Sequence, residues 1–185
     1  MSGSVRLADF DNSWYRPGRS AATRALWLVF SRAFFLTSFP WPSRLKATIL
    51  RAFGGRIGRR VVLKPRINVK YPWNLTIGDD CWIGEGAWID SLGQVTLGHD
   101  VCLSQGAMIE TGNHDWSDPA FGLKIGPVVV EDGAWAAVRS LLLPGSSLRA
   151  HSVLSAGSVL KGDTEASAIY VGNPAAKVRD RVLPS

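Results

Sequence analysis

The stretch LTIGDDCWIGEGAWID, residues 75–90, carries three isoleucines spaced six positions apart. Amphipathic helices repeat about every 3.6 residues and half-buried strands every two, so a period of six fits neither. The same spacing of aliphatic or alanine residues continues along much of the chain, at Ile57, Leu63, Val69, Ile77, Ile83, Ile89, Leu97, Leu103, Ile109, Val130, Ala136, Leu142, Leu148, Leu154 and Leu160. A small or slim side chain stands four positions after most of them, at Val61, Cys81, Ala87, Val101, Ala107, Ala134, Ser140, Ser146, Ser152 and Ser158. Each hexad is therefore interpreted as one short strand and one corner, with three hexads forming one triangular coil of a solenoid.

The interruptions of this repeat all fall at one corner of the predicted triangle. The aliphatic positions are eight apart at Val69–Ile77 and at Ile89–Leu97, and twenty-one apart at Ile109–Val130. Each gap follows a third hexad, so every insertion is expected to leave the solenoid at the same corner. The repeat predicts an all-β fold, a single-stranded parallel β-helix of about five triangular coils: 57–76, 77–96, 97–129, 130–147 and 148–165.

The repeat divides the chain into three parts and one inserted loop: an N-terminal extension and helical cap (1–56), the β-helix (57–165) with a loop at 110–127, and a C-terminal tail (166–185). Residues 20–39 are expected to form an aromatic-rich helix that stops at FPWP, because proline fits poorly inside a helix. Ser43 is expected to cap a second helix that ends at Gly54-Gly55. Its apolar side is predicted to comprise Leu45, Ile49, Leu50 and Phe53. This helical appendage is expected to cover the open end of the solenoid.

Residues directly before the inward aliphatic ones are predicted to lie on the outer faces. Two of the three faces are largely apolar: Val62, Trp82, Cys102, Trp135 and Val153 on one, and Asn68, Trp88, Met108, Leu141 and Val159 on the next. Exposed apolar patches of this extent usually mark an interface, although the N-terminal helices are an alternative cover. A homo-oligomer is therefore expected.

Composition and charge limit the class of protein. Hydrophobic residues make up 46% of the chain and charged residues 19%, which indicates a globular domain. The net charge of +6 suits nucleic acid, an anionic membrane or a phosphorylated small molecule. The basic residues form no block of five or more, which disfavours dedicated nucleic-acid binding. Two cysteines without disulfide or zinc spacing, and no secretory signal, favour a cytoplasmic location.

The apolar stretch 25–39 is only 15 residues long and contains Arg32. It is short for a bilayer span, which needs roughly 20 residues. It is interpreted either as a helix packed on the protein or as an interfacial helix in peripheral contact with the inner face of the cytoplasmic membrane. The sequence leaves both interpretations open.

The longest insertion carries ETGNHDW, residues 110–116, and with it one of the three histidines of the chain. A loop of this length in a compact repeat is commonly functional. Asp90 and Glu110 are predicted to lie where this loop emerges. Three roles are open for them: to orient an imidazole, to hold sugar hydroxyls, or to be solvated surface charges. A lone loop histidine is more often inert than catalytic, but the position of His114 beside these carboxylates favours a functional role.

Five stretches carry a family resemblance: FPWPSRLKATILRAFGGRIG, KYPWNLTIGDDCWIGEGAWID, TGNHDWSDPAFGL, VVVEDGAWA and VGNPAAKVR. They resemble the hexapeptide-repeat acyltransferases, and most of all the O-acetyltransferases of colanic-acid and other exopolysaccharide biosynthesis. The resemblance implies a left-handed β-helix, a homotrimer, and acetyl-CoA as the acetyl donor without a metal. It also implies that His114 takes the proton of a sugar hydroxyl that attacks the acetyl group directly, while backbone N–H groups stabilise the oxyanion.

The resemblance also assigns roles to further residues. The acceptor site is expected to involve Glu85, Asp90, Glu110, Asn113, Asp115 and Trp116, with Glu85 included because Gly84 stands where several sugar acetyltransferases have asparagine. The positions used along CoA are Trp135, Ala156, Ser158, Lys161, Asn173 and Pro174. Lys177 and Arg179 are added by charge, as phosphate partners or as ordinary surface charges. Ala137 and the segment 160–163 depart from the family pattern, so the CoA contacts there stay open.

Three alternatives accompany this interpretation. A metal enzyme of the γ-class carbonic anhydrase type shares the fold but needs three converging histidines, whereas His99 and His151 lie two coils apart and His114 is on a loop. A non-enzymatic assembly subunit is disfavoured by the complete TGNHD loop and GNP tail. The resemblance favours a saccharide of exopolysaccharide biosynthesis as acceptor, with a free sugar, serine or an antibiotic as the other candidates.

Overall fold

The computed structural model describes residues 4–184, in which two helices precede a three-sided stack of short strands. The helices are α1 (Ala21–Phe30), continued by a π-helical turn (Ser31–Phe35), and α2 (Ser43–Ala52), with 3₁₀ turns at Leu7–Asp9 and Pro72–Asn74. The strands are β1 (Arg56–Ile57), β2 (Val62–Leu63), β3 (Asn68–Val69), β4 (Leu75–Ile77), β5 (Trp82–Ile83), β6 (Trp88–Asp90), β7 (Val95–Leu97), β8 (Cys102–Leu103), β9 (Met108–Glu110), β10 (Gly112–His114), β11 (Leu123–Ile125), β12 (Val128–Val130), β13 (Trp135–Ala136), β14 (Leu141–Leu142), β15 (Ser147–Leu148), β16 (Val153–Leu154), β17 (Val159–Leu160), β18 (Ala168–Gly172) and β19 (Ala175–Asp180).

Apart from the two-stranded β10–β11 hairpin, the strands form three sheets, which we name faces A, B and C in the order in which the chain visits them. Face A is β1-β4-β7-β12-β15, face B is β2-β5-β8-β13-β16-β18-β19, and face C is β3-β6-β9-β14-β17. Neighbouring coils pair in parallel, as where Ile57 lies beside Ile77. The predicted all-β parallel β-helix is confirmed. A bridge between Ser147 and Asp163, followed by β18 on face B, adds a partial sixth turn to the five predicted coils.

The core is the interior of the solenoid and is filled by the aliphatic residue of each hexad. All fifteen predicted inward positions are buried, and Leu103 and Ile109 are inaccessible to solvent. The slim residues at the corners are buried as well. Serine is tolerated there because its hydroxyl finds a partner, as where Ser140 Oγ donates to the Ala137 carbonyl at 2.8 Å. The hydrophobic effect thus stabilises the stack coil by coil.

Glycine follows the inward residue where coils approach closely, at the corner between faces A and B. A Cβ on Gly98 would collide with the side chain and backbone nitrogen of Asp132 in the next coil. Asp132 Oδ1 accepts from the His99 backbone N–H at 2.7 Å, and Asp79 Oδ1 accepts from the Arg59 N–H at 2.7 Å. The recurring Gly-Asp and Gly-His pairs of the sequence therefore form a hydrogen-bond ladder between coils.

The insertions all leave the solenoid at the corner between faces C and A, as predicted. Residues 70–74 connect β3 to β4, and residues 91–94 connect β6 to β7. Residues 111–127 connect β9 to β12 and contain the β10–β11 hairpin. This corner, which we call the insertion corner, is where the chain departs from its repeat.

The helices pack on the first coil. Trp27 of α1 is buried, and its Nε1–H donates to the Val69 carbonyl of β3 at 3.1 Å. Ser43 is not the predicted cap, because it is the first residue of α2 and makes no capping bond. Its hydroxyl instead accepts from the Leu63 N–H at 2.9 Å and ties α2 to β2.

Two further expectations about the helices are corrected. The predicted 20–39 helix has α-helical geometry only over Ala21–Phe30, because the next five residues form the π-helical turn. Leu45 is 37% exposed, whereas its neighbour Lys46 is fully buried. The Lys46 ammonium donates to the Lys64 carbonyl at 2.8 Å, and burial, followed by the charge of Lys64, lowers the Lys46 pKa to about 8. Amphipathic spacing does not reveal this buried lysine, because its position depends on the β2 backbone.

Of the helices described within residues 4–184, none is long and apolar enough to cross a membrane.

The helices cover the end of the solenoid, as expected. The segment before α1 runs along the insertion corner, which was not expected. Trp73 Nε1–H donates to the Pro17 carbonyl at 2.6 Å in the first coil, and Tyr15 Oη–H donates to the Leu92 carbonyl at 3.0 Å in the second. The Arg6 N–H donates to the Pro119 carbonyl at 2.8 Å in the long loop. The N-terminal segment thereby links all three insertions.

Truncating an inward residue tests the solenoid core. Leu103→Ala is expected to lower the free energy of unfolding by about 2–5 kcal/mol, because the surrounding coils cannot close the cavity. Denaturant unfolding followed by circular dichroism measures this loss. The matched control is Val138→Ala at a half-exposed corner position, expected within about 0.5 kcal/mol of wild type. Equal losses in both variants would contradict the inward assignment.

Candidate active site

The loop that carries His114 folds as a β-hairpin. Strand β10 pairs with β11 in antiparallel register, placing His114 opposite Leu123. The Asp115 N–H donates to the Gly122 carbonyl at 2.7 Å, and the Asp115 carboxylate pairs with Lys124 at 2.7 Å. Lys124 and Ser117 lower the Asp115 pKa to about 2, so this carboxylate is charged at neutral pH. Asp115, predicted to contact acceptor, therefore also closes the hairpin that presents the histidine.

The His114 ring is oriented by the far side of its own hairpin. Nδ1 lies 2.8 Å from the Phe121 carbonyl oxygen, and the ring stacks on the Phe121 ring at 4.4 Å between centroids. A carbonyl oxygen only accepts hydrogen bonds, so Nδ1 carries the hydrogen. In the neutral ring the lone pair is then on Nε2, which is the atom able to accept a proton.

A second aromatic ring reaches the histidine from the N-terminal segment. The Phe10 ring lies 5.4 Å from the His114 ring and is tilted by 57°. Sequence reasoning missed this residue, because Phe10 is 104 positions away and lies outside the repeat. Its proximity to an insertion tip carries no periodic signal. Phe10 and Phe121 together form apolar walls around the imidazole.

Residues assigned separately to acceptor and cofactor line one cleft beside the hairpin. The cleft has a volume of about 340 Å³ and is lined in part by Asn113, His114, Trp116 and Lys161. Its other side is formed by Leu143 and the adjoining turn of the fourth coil. Trp116 is the most exposed of these side chains, at 85%. The structure thus brings the candidate base, two candidate acceptor residues and one cationic CoA candidate together.

The two carboxylates predicted at the insertion corner are neighbours. Asp90 on β6 lies beside Glu110 on β9 in the parallel ladder of face C. The Lys70 ammonium lies 3.1 Å from Asp90 Oδ1. Partial burial, and next the charge of Asp90, raise the Glu110 pKa above its usual range. Burial, followed by the charges of Tyr71 and Asp90, raises the pKa of nearby Tyr15 to about 12. The corner below the hairpin is therefore acidic and partly shielded from water.

The other candidate CoA residues lie away from this corner. Trp135 is on face B, which is opposite the insertion corner in the triangle, and its Nε1–H donates to Ser104 Oγ at 2.8 Å. Ala156 is exposed at the corner between faces B and C. Asn173 and Pro174 form the turn between β18 and β19, and Arg179 is exposed on β19.

Two of the CoA candidates are engaged within the chain. Ser158 is buried, and its Oγ accepts from the Gly172 N–H at 2.9 Å, so it holds the C-terminal hairpin. The Lys177 ammonium pairs with Glu165 at 2.7 Å and Asp180 at 2.9 Å, and these carboxylates raise the Lys177 pKa. Its charge is thus compensated where it was expected to meet phosphate.

Glu85, predicted to bind the acceptor, is also separate from the hairpin. It lies at the corner between faces B and C and forms an ion pair with Arg66 at 2.6 Å. It borders a cleft of about 470 Å³ that Val138 and Arg139 also line. In one chain the candidate residues therefore fall into two groups, one at the insertion corner and one on face B with its corner to face C.

The second group suits a long ligand with an apolar arm and anionic phosphates. Trp135 and Val138 are each about two-fifths exposed and offer apolar surface. A Cβ on Gly157 would meet nothing within 4 Å, so the backbone is open to a ligand there. Arg139 and Arg179 are exposed cations at this side of the solenoid. These properties match the chemistry of coenzyme A.

Comparisons with known proteins agree with this architecture. No protein-family model matches the chain. The chain is 33% identical over 165 residues to the "Putative colanic acid biosynthesis acetyltransferase WcaF" of Escherichia coli (strain K12), covering 89% of this chain and 91% of that protein. A maltose O-acetyltransferase from Clostridium difficile 630 superposes with a TM-score of 0.79 at 22% identity, over 88% of each chain. A hexapeptide-repeat acetyltransferase from Vibrio cholerae, solved with acetyl coenzyme A, gives a TM-score of 0.78 at 21% identity, over 88% of this chain and 91% of that chain.

The fold is that of the left-handed β-helix acetyltransferases. The sequence likeness then defines the family: the chain belongs to the hexapeptide-repeat acetyltransferases of the colanic acid biosynthesis type. It is an acetyltransferase that uses acetyl-CoA as donor, as predicted from the sequence. Among residues 4–184, no group of three or more His, Cys, Asp or Glu side chains is arranged to hold a metal ion.

Removing the charge of Glu110 tests the electrostatics of the corner. A carboxyl whose pKa is raised by folding is most stabilising when protonated, so stability falls as pH rises through the titration range. Glu110→Gln is therefore expected to raise the melting temperature at pH 7, with the gain disappearing at pH values below the usual range of a glutamate. Thermal unfolding across pH measures this. A gain that persists unchanged in acid would contradict the assignment.

Proposed function

We propose that the chain is an O-acetyltransferase that moves an acetyl group from acetyl-CoA to a hydroxyl of a saccharide in exopolysaccharide biosynthesis. Family membership supports acetyl transfer, and the colanic acid relative supports a saccharide acceptor. The observation that carries the catalytic part is the contact of His114 Nδ1 with the Phe121 carbonyl, which leaves Nε2 as the basic atom. We place the reaction in the cytoplasm, which the two free cysteines favour.

His114 acts as general base in this proposal. A sugar hydroxyl is too weakly acidic to attack a thioester unaided, so His114 Nε2 accepts its proton as the oxygen bonds to the acetyl carbon. The carbon–sulfur bond then breaks, and the proton held by His114 passes to the leaving thiolate. The Phe121 carbonyl stabilises the imidazolium formed in between, because a hydrogen bond from a charged donor is stronger. Phe10 and Phe121 restrict water beside the ring.

A direct transfer is favoured over a cysteine intermediate. Cys81 is buried, and burial raises its pKa to about 11. Burial also raises the pKa of Cys102. Both thiols are therefore protonated at neutral pH, and a thiol is a poor nucleophile compared with a thiolate.

We further propose that the enzyme is a homotrimer whose sites are shared between neighbouring subunits. Support comes from the two separated groups of candidate residues, because an insertion corner of one copy facing face B of the next would unite them. Half-exposed Trp82 and Trp135 on face B, and Trp88 on face C, are apolar surface suited to such contacts. Threefold symmetry closes the assembly with three equal sites.

His114→Ala tests the catalytic proposal. Release of CoA from acetyl-CoA is expected with wild-type protein and one of three acceptor classes: nucleotide sugars, lipid-linked oligosaccharides or simple sugars. The variant is expected to lose at least about 100-fold of this rate, the usual contribution of a general base, while retaining its melting temperature and acetyl-CoA binding. The control His151→Ala, at an exposed histidine, should keep wild-type activity.

Two outcomes would contradict this. Equal rates for His114→Ala and wild type would remove the histidine from the mechanism. CoA release with serine or an antibiotic but with no saccharide would keep acetyl transfer and replace the acceptor class.

Co-expression of two inactive variants tests the shared site. His114→Ala and Trp135→Ala, each impaired alone, are expected to regain about a quarter of wild-type activity in random mixed trimers, since one site in four combines two intact halves. Mass photometry of the wild type would report the trimer. Failure to regain activity in verified mixed trimers would place the whole site within one chain.

A further inference from the structure

The charges of this protein are strongly segregated along the chain. Residues 12–78 contain 13 of the 21 lysines and arginines and none of the 15 aspartates and glutamates. This segment forms the helical cap and the first coil of the solenoid. The net charge of +6 thus conceals a cationic end joined to an acidic remainder. A cationic end of this kind favours an anionic partner.

Much of this positive charge is not compensated within the chain. Arg59, Arg60, Arg66 and Lys70 pair with carboxylates of the second coil. Within residues 4–184, seven arginines of the N-terminal extension and cap lie in no ion pair with a carboxylate: Arg16, Arg19, Arg24, Arg32, Arg44, Arg51 and Arg56. The Nε of Arg24 is buried and has no hydrogen-bond partner in the described part of the chain.

The outward side of α1 is apolar. Ala22, Leu26 and Val29 are exposed and lie four and three positions apart, which places them in one stripe along the helix. Ala33 in the π-helical turn is exposed as well. Leu26 is 52% exposed and Val29 63%, although the opposite side of the helix already packs on the solenoid through Trp27. A helix that is apolar on both sides is unusual at a purely aqueous surface.

Grooves on both sides of the stripe combine apolar walls with arginine. The groove between α1 and α2 has a volume of about 530 Å³ and is lined by Leu26, Phe30 and Phe53, with Arg19 and Arg51 at its edge. The groove on the other side of α1, also about 530 Å³, is lined by Leu28 and Leu36 together with Arg24, Arg32 and Lys70. Each groove therefore offers apolar surface to hydrocarbon chains and, next to it, positive charge to phosphate groups.

We propose that this cap surface, the α1 stripe with its flanking arginines, binds a phospholipid bilayer with anionic headgroups. The apolar stripe enters the boundary between headgroups and acyl chains, while the arginines contact phosphates. A second copy of the same surface is a poor occupant, because the uncompensated arginines would face one another. The inference depends on the charge and exposure of the cap and not on acetyl transfer.

Vesicle co-sedimentation of the full chain tests the proposal. Binding is expected to vesicles of phosphatidylcholine mixed with phosphatidylglycerol, to be much weaker with phosphatidylcholine alone, and to fall with added salt. Val29→Asp is expected to weaken binding about tenfold, as for one valine side chain kept in water. Arg24→Gln and Arg32→Gln are each expected to weaken it about fivefold.

The matched controls are Val182→Asp and Arg139→Gln, exposed residues far along the chain from the cap, which should bind like wild type. Unchanged melting temperatures establish that the variants are folded. Equal vesicle binding by Val29→Asp and wild type would overturn the proposal. A change in oligomer mass in Val29→Asp without loss of vesicle binding would assign the stripe to a contact between copies. Displacement from mixed vesicles by duplex DNA, with binding to DNA insensitive to Val29→Asp, would assign the arginines to nucleic acid.

Discussion

Each coil of this protein hydrogen-bonds in parallel and in register to the coil before it, and the other features depend on that stacking. Equivalent positions lie one strand spacing apart, about 4.8 Å, so a side chain must suit the one directly above it. This keeps the interior aliphatic and the corners slim. A loop at a corner leaves the ladders of all three faces unbroken, and the three insertions of this chain leave at the corner between faces C and A.

The candidate active site is built on the insertion corner. The third insertion is long enough to fold back as a hairpin, which places Phe121 beside His114. The Phe121 carbonyl sets the tautomer of His114, and the Phe121 ring stacks on the imidazole. The segment before α1 adds Phe10 from the other side. In the proposed mechanism, ring packing and the hydrogen bond to the Phe121 carbonyl preorganise this imidazole as a base. Asp90 and Glu110 lie side by side below the hairpin, where burial and the charge of Asp90 raise the pKa of Glu110.

The same geometry explains why one chain does not gather all the candidate residues. A triangular solenoid places each corner opposite a face, so the hairpin and Trp135 are separated by the packed interior. In the proposed trimer, the insertion corner of one copy faces face B of the next, and this contact unites the two groups. The cationic cap lies at the first coil, before the coils that carry the hairpin and its cleft. The proposed membrane-binding surface and the proposed active site therefore lie on different coils.

The sequence alone determined the coils, the buried positions, the insertion corner and the histidine loop, because a parallel ladder repeats one local geometry and records it as a period of six. The tertiary structure alone decided the contact of Phe10 with His114, the buried Lys46, the role of Ser43 in holding β2, and the compensation of Lys177 by Glu165 and Asp180. These contacts join segments that follow no common period. Their partners are fixed by the packing of non-repeating segments against the solenoid, which no local pattern encodes.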